Sequence, residues 1–425
     1  MLADSPSLTI WLVTTGEPLP CDGPHVRLYR TGMLAHHLAQ RGHRVRWWSS
    51  NFNHHTKRFR FTTDSCLELA PGLTLQLLRG RGYSKHVSLR RIADHRDVAR
   101  DFARKAAHQE APDVIVAAYP TIELANACVI FGHAHGIPVA LDIRDLWPDL
   151  FAEVAPPALR WLARLALLPY RLSAIRALRH CQAFYAITES YLDWGIAMAR
   201  RGRTSLDRVI PFAYPQQDVP EPASADPFLD RLGLTSAHDV ICFFGTFGRQ
   251  FDFETIIRAA RLLPAHGLSQ VRIVLCGEGE SLEHYRESGR DLPGLVFPGW
   301  IDQTQIATLM DVAKAGLAPY HPNLNFAGHL PNKPVEYMSA GLPIITCLSG
   351  LLSQMVHELQ IGFNYTVGDP MSLIRAIQDL HRHDGLPAMR LRCRQIFAER
   401  YAAEVVMESY HRAILDLAHS GKQQP

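Results

Sequence analysis

Short β-rich runs alternate with helix-period segments along nearly the whole of this chain, and that alternation restricts its fold more than any other feature. Strands that come singly, each followed by a helix, do not pair as hairpins. They lie parallel, with the helices covering both faces of the sheet. Leu8–Val13 is a continuous apolar run, as suits a strand buried on both sides. A loop over Thr14–Pro24 follows. A helix is then expected from about His25 to Arg41, with Leu28, Thr31, Ala35, Leu38 and Ala39 facing the core and Gly42 ending it. Further strands are expected at Val45–Trp48, Leu73–Leu78, Val114–Ala118, Val139–Asp142 and Ala183–Thr188.

The series breaks once, between Pro211 and His238, where Pro, Ala, Asp and Gln dominate without periodicity. It resumes with Val240–Phe244, a helix over Asp252–Leu263, and Val271–Cys276 leading into Gly277-Glu278-Gly279. Leu295–Phe297, Ala315–Ala318 and Leu342–Thr346 complete a second sheet. The expected organisation is an α/β chain of two doubly wound, Rossmann-like domains, over 1–210 and 239–395, joined by a linker at 211–238. A helical segment over 396–425 is expected to return to the first domain. Ligands of such sheets bind at the carboxyl ends of the strands, and the two edges are expected to face a central cleft.

At 425 residues the chain is too long for one ordinary core. Its formal charge of +3 gives no strong pull toward nucleic acid, which is not an expected partner. Met1–Ser7 lacks the basic and apolar regions of a signal peptide. No run reaches the roughly 18 apolar residues of a membrane span. The eight cysteines are scattered without a C-x-x-C pair, which fits a reducing, cytoplasmic setting. His36-His37, His54-His55, His133 and His135 form no metal signature, so no metal is expected.

Four constellations carry chemistry. In Asn332-Lys333-Pro334-Val335-Glu336, a lysine at a helix start suits a diphosphate, and a carboxylate one turn later could accept from a ribose diol. Taken alone, the spacing fits a surface Lys–Glu pair as well. Gly245-Thr246-Phe247-Gly248-Arg249 follows a strand and precedes a helix that Asp252 can cap; Arg249 offers a bidentate phosphate partner. Asp142-Ile143-Arg144-Asp145 ends a first-domain strand, where an acid, a base or a hydroxyl ligand would stand. A salt bridge bracing the loop is the rival reading. Ala158–Arg179 carries arginines at 160, 164, 171, 176 and 179 among leucines and no acid. Such a segment either lies in an anionic membrane interface or packs as a helical hairpin, with Pro169 as a break. No D-x-D triplet occurs, so a metal-independent mechanism is expected, with Arg and Lys handling a leaving diphosphate.

Together these motifs resemble family 4 of the retaining glycosyltransferases, of GT-B architecture, and most closely a branch that includes N-acetylfucosamine-type transferases of bacterial O-antigen and exopolysaccharide synthesis. The resemblance rests on Arg27, Leu34, Ala35, Leu38 and Arg41-Gly42-His43-Arg44-Val45, on Arg144-Asp145-Leu146-Trp147-Pro148, and on Asn332-Lys333, Glu336-Tyr337-Met338 and Gly341-Leu342-Pro343. It implies that Glu336 binds the donor ribose, that Arg249 and Lys333 hold the diphosphate beside Gly245, and that the loop around Gly16 closes over the phosphates. Gly328, followed by His329, stands where many relatives carry a glutamate. That departure favours a front-face reaction in which the leaving phosphate helps deprotonate the acceptor. Many relatives also carry a lysine where this chain has Gln250–Phe253, a gap Lys333 would fill. Asp142, Arg144 and Asp145 fall on the acceptor side.

The implied enzyme moves a hexose or N-acetylhexosamine-type sugar from a nucleotide-sugar, a UDP-sugar foremost, to a lipid-linked glycan at the inner face of the cytoplasmic membrane. The nucleotide-sugar is a co-substrate and no cofactor is expected. A nucleotide-sugar epimerase of the same architecture and a non-catalytic sugar-nucleotide-binding subunit are the alternatives.

Overall fold

The computed structural model describes residues 7–24, 26–85, 88–153, 155–216, 227–322, 326 and 328–421. The chain divides into two compact units: Met1–Pro211 with Val406–Pro425, and Phe212–Val405.

The first unit is built on an eight-stranded sheet in the order Arg208–Val209, Ala183–Ala186, Val139–Ile143, Val114–Tyr119, Thr9–Val13, Arg44–Ser50, Leu73–Leu78, Cys66–Ala70. All neighbours run parallel except the last pair. Trp11, Trp47 and Trp48 are fully buried, with Trp11 edge-on to Trp48 at 4.9 Å and stacked on Phe131 at 5.2 Å. The strand order reverses at Thr9–Val13. The crevice beyond Val13 and Tyr119 is therefore the switch point where such sheets bind ligands.

The first helix runs Arg30–Gln40, five residues shorter at its start than the periodicity suggests. Tyr29 is extended, and the carboxylate of Glu17, in the loop after the first strand, accepts the Thr31 N–H at 3.1 Å. A distant acid thus caps the helix and fixes where it begins. The chain's last helix, Ala403–Gly421, buries Val406, Tyr410, Ile414 and Leu417. The Tyr185 hydroxyl donates to its Ala413 carbonyl at 2.7 Å. The preceding helix, Leu386–Arg400, stays with the second unit and buries Cys393, Ile396 and Phe397 there, so the return begins at Val406 and not at residue 396.

The arginine-rich segment forms two helices, Arg160–Ala166 and Leu168–His180, meeting at Leu167 with Pro169 in the first turn of the second. Ala174, Ala177 and Leu178 face the core. Trp161, Leu165 and Leu172 are about three-fifths exposed, beside the exposed Leu159, Leu162 and Leu168. Among the described residues, no helix is long and apolar enough to cross a membrane.

The second unit carries six parallel strands in the order Leu295–Gly299, Val271–Cys276, Asp239–Phe244, Ala313–Ala318, Ile344–Thr346, Gly362–Asn364. Its order reverses between Asp239–Phe244 and Ala313–Ala318. Asp252 caps the helix Phe253–Leu262 through the Thr255 N–H. Residues 217–226 of the expected linker lie outside the described residues. Its remainder includes a short helix, Pro227–Arg231, whose Phe228 joins the second core together with Leu234.

Candidate active site

In the second unit the loops after two neighbouring strands, Asp239–Phe244 and Val271–Cys276, pack back to back. Gly245 N–H donates to Cys276 O at 2.9 Å, and Phe247 N–H to Glu278 O at 2.7 Å. A Cβ on Gly277 would lie 1.7 Å from the Gly245 carbonyl oxygen, so only glycine fits there. Across the switch point, the Asp252 N–H donates to Pro319 O at 2.7 Å and ties the glycine loop to the end of the next strand.

The helix Asn332–Ser339 starts at this edge and delivers Lys333 and Glu336. Lys333 Nζ lies over the rings of Phe243 and Phe251, 5.2 Å from each centroid, and a Cβ on Gly245 would come within 2.5 Å of it. Glu336 is buried, 7% exposed, and its charge reaches Tyr320. Gly245, Lys333 and Glu336 therefore form one cluster, an ammonium at a helix start with a carboxylate one turn on. Arg249 is exposed on the loop and Gly328 is half-buried in a turn. His329, next to Gly328, packs edge-on against Phe212 at 5.4 Å, and burial pushes its imidazole down to about 3.

In the first unit a cavity of about 240 Å³ opens at the switch point. Gly16, Glu17, Arg144 and Asp145 line it, as do His95 and Trp147. Gly16 is exposed at φ +85°, in the left-handed region. Asp142 lies beneath and is fully buried: Arg30 grips it with two hydrogen bonds of 2.9 Å, and Arg144 Nε donates to it at 2.7 Å. Burial opposes the charge, but the two guanidiniums outweigh burial and hold the Asp142 carboxyl at about 2. Arg144 also pairs with Glu17 and donates to Thr31 Oγ1 at 2.8 Å. Asp142 is thus a buried counter-ion that acts through its arginines, and Arg144 braces the loop that Glu17 uses to cap the first helix. Asp145 is half-buried and, with Arg144, lines the cavity wall.

The sequence motifs missed His54, Tyr83, Arg91 and His95, which complete the cavity. Arg91 lies over Trp147 at 4.9 Å and over Tyr83 at 5.6 Å. Arg91 and His95 lie on the helix Leu89–Ala106, whereas His54 and Tyr83 come from irregular segments and carry no local signal.

Histidines from opposite ends of the chain also meet. His37, Glu408 and His411 bring ligand atoms within 4.8 Å of one another, where the sequence suggested no metal cluster. Glu408 is already ion-paired with Arg41 at 2.6 Å. The Leu8 N–H donates to His43 Nδ1 at 3.1 Å, so His43 donates from Nε2 to His411 Nε2 at 2.8 Å. That leaves the His411 proton on Nδ1, on the side of Glu408 at 3.9 Å. A ring so protonated offers no lone pair to a cation, and the cluster works as a polar seam between the first and last helices.

In comparison with known proteins, each unit matches a glycosyltransferase family model. The model described as glycosyl transferases group 1 matches residues 238–383, and the glycosyl transferase 4-like domain matches residues 29–206. No curated protein matches the chain. Among solved structures, the fold is similar to sucrose-phosphate synthase from Thermosynechococcus elongatus, with a TM-score of 0.71 and 15% identity over 97% of this chain and 99% of that one. It is also similar to HepE from Anabaena in complex with UDP-glucose, at 0.64 and 16% over 96% and 100%. A third is WaaG, a glycosyltransferase involved in lipopolysaccharide biosynthesis, at 0.64 and 13% over 96% and 99%. At such identities the likeness is one of fold.

Proposed function

We propose that this glycosyltransferase, a protein of the GT-B fold, moves a hexose or N-acetylhexosamine-type sugar, with retention, from a UDP-sugar to a lipid-linked glycan acceptor in bacterial surface-polysaccharide synthesis. The observation that carries the reading is the cluster of Gly245, Lys333 and Glu336 at the switch point of the second sheet. Backbone N–H groups and an ammonium meet a diphosphate there, while a buried carboxylate accepts from a ribose diol. HepE, a structural neighbour, binds UDP and UDP-glucose. The donor is assigned to this unit and the acceptor to the cavity of the other, with Asp145 at its wall.

Lys333 and Arg249 neutralise the leaving diphosphate, which in a front-face reaction takes the proton of the attacking hydroxyl. The protein would thus work without a divalent metal, at the inner face of the cytoplasmic membrane. The exposed Trp161, Leu165 and Leu172 support this location: apolar side chains enter the interface while neighbouring arginines meet lipid phosphates. The test is incubation with UDP-, GDP- and dTDP-sugars and lipid-linked acceptors, followed by mass spectrometry of the lipid product. A UDP-sugar should extend an acceptor by one residue. Nucleotide-sugar converted to an isomer with no acceptor consumed would instead reveal an epimerase.

A further inference from the structure

We propose that a groove between three helices of the first unit binds the phosphate headgroup of an anionic phospholipid, with an acyl chain lying along Ile130 and Leu172. The proposal rests on the membrane location given above and names the lipid chemistry met there.

The groove, of about 510 Å³, lies between the helices Leu89–Ala106, Ile122–His135 and Leu168–His180. Each helix turns an i, i+4 pair into it: Arg96 and Arg100, Asn126 and Ile130, Leu172 and Arg176. The last two helices are tied to each other there, because Asn126 Nδ2 donates to the Ser173 carbonyl at 2.9 Å and to its hydroxyl oxygen at 3.1 Å. The groove shares no lining residue with the switch-point cavity. Asp94, His95 and Val98 line that cavity from another side of the helix Leu89–Ala106.

Three arginines stand in the groove against one carboxylate, Glu123. Arg100 is already paired with Asp97 at 3.3 Å. Arg96 and Arg176 are exposed and make no hydrogen bond or ion pair among the described residues, so both guanidiniums are open to an anion. Glu123 opposes an anion only weakly. Its side chain is 11% exposed, and burial raises its carboxyl above the usual range while Arg96 pulls it down.

The aliphatic part is equally open: Ile130 is 51% exposed and Leu172 58%. Leu168, exposed as well, stands one turn before Leu172 and adjoins the helix that carries Trp161 and Leu165. Phe52, Tyr83 and Trp147 give the cavity aromatic faces, as suits a sugar, whereas no ring lines the groove. Guanidiniums beside open aliphatic side chains match a phosphate that carries a hydrocarbon tail.

Methyl NMR of the full chain tests this, with the Ile130 δ1 signal assigned by comparison with Ile130→Val. The probe is monomeric dihexanoyl phosphatidylglycerol. It should shift the Ile130 signal saturably, and Arg96→Gln with Arg176→Gln should require roughly tenfold more lipid. Arg164→Gln with Arg179→Gln removes the same charge outside the groove and should leave the titration unchanged. Equal weakening by both pairs, no saturable shift of Ile130, or equal binding of dihexanoyl phosphatidylcholine overturns the proposal. So does an equal shift with inorganic phosphate, which would make this a site for free anions. Sedimentation with phosphatidylglycerol vesicles separates the two readings. A protein that sediments without a saturable Ile130 shift keeps its membrane location and loses the groove. A saturable shift in a protein that does not sediment upholds the groove and defeats the membrane location.

Discussion

A side chain at Gly245 would begin 2.5 Å from Nζ of Lys333, so the glycine keeps open the lane in which the ammonium lies. Gly245→Ala should push Lys333 off its perch over Phe243 and Phe251. Overpacking of this kind costs about 1–3 kcal/mol. The expected outcome is weaker UDP binding by calorimetry, together with a lower melting temperature. Lys333→Ala in the same background should restore the melting temperature and leave binding weak.

Glu336→Ala should weaken donor binding by about 1.5–3 kcal/mol, the worth of a hydrogen bond to a charged group, or roughly ten- to hundredfold in Kd. Titration with UDP measures it directly. Unchanged affinity in a folded variant would remove Glu336 from the donor site.

The Asp142–Arg144–Asp145 triplet should divide by role. Arg144→Ala strands Glu17 and Asp142 without one of their counter-charges, and breaking a buried pair in this way costs about 3–5 kcal/mol. Denaturant unfolding should reveal that loss. Asp145→Ala should cost less stability than Arg144→Ala and lower turnover. Equal destabilisation by both changes would place Asp145 in the brace as well.

Acid should weaken the first unit through His95. Its folded pKa of about 3 lies below the ordinary 6.5, so the unfolded chain binds the extra proton, and stability falls as pH drops from 6.5 toward 3. A shift of this size is worth on the order of 5 kcal/mol. His95→Phe removes the titrating group and should flatten the slope between pH 7 and 4 in urea titrations. An unaltered slope would show that His95 is not held neutral.

Membrane contact is tested by Trp161→Ser with Leu165→Ser, both solvent-facing and so without effect on the fold. The wild type should sediment with anionic vesicles and the variant remain in the supernatant. High salt should release the wild type only in part, because screening removes the Coulomb share alone. Arg171 is a poorer probe than the sequence suggests, because it is ion-paired with Asp149.

Both sheets are legible in the sequence because strands buried on two faces read as apolar runs: Leu73–Leu78 and Val271–Cys276 match the observed strands to the residue. Cys66–Ala70, largely unburied and at the sheet edge, carries no such run and escapes notice. The start of the first helix is set by Glu17 and not by its own residues, so periodicity places it too early. Gly245, Lys333 and Glu336 fall on a glycine loop and a helix start, features with local signatures. His95 and Trp147 lie far apart in the chain and stack only through packing, and nothing in their local sequence marks the pair.

The central claim is transfer with retention from a nucleotide-sugar, without metal. Proton NMR of a reaction between an α-linked UDP-sugar and a lipid-linked acceptor in EDTA reads the anomeric signal of the new glycosidic bond as it forms. An α-linked product growing at an undiminished rate in EDTA is the expected result. A β-linked product, or a reaction that stops in EDTA and resumes with magnesium or manganese, would contradict it.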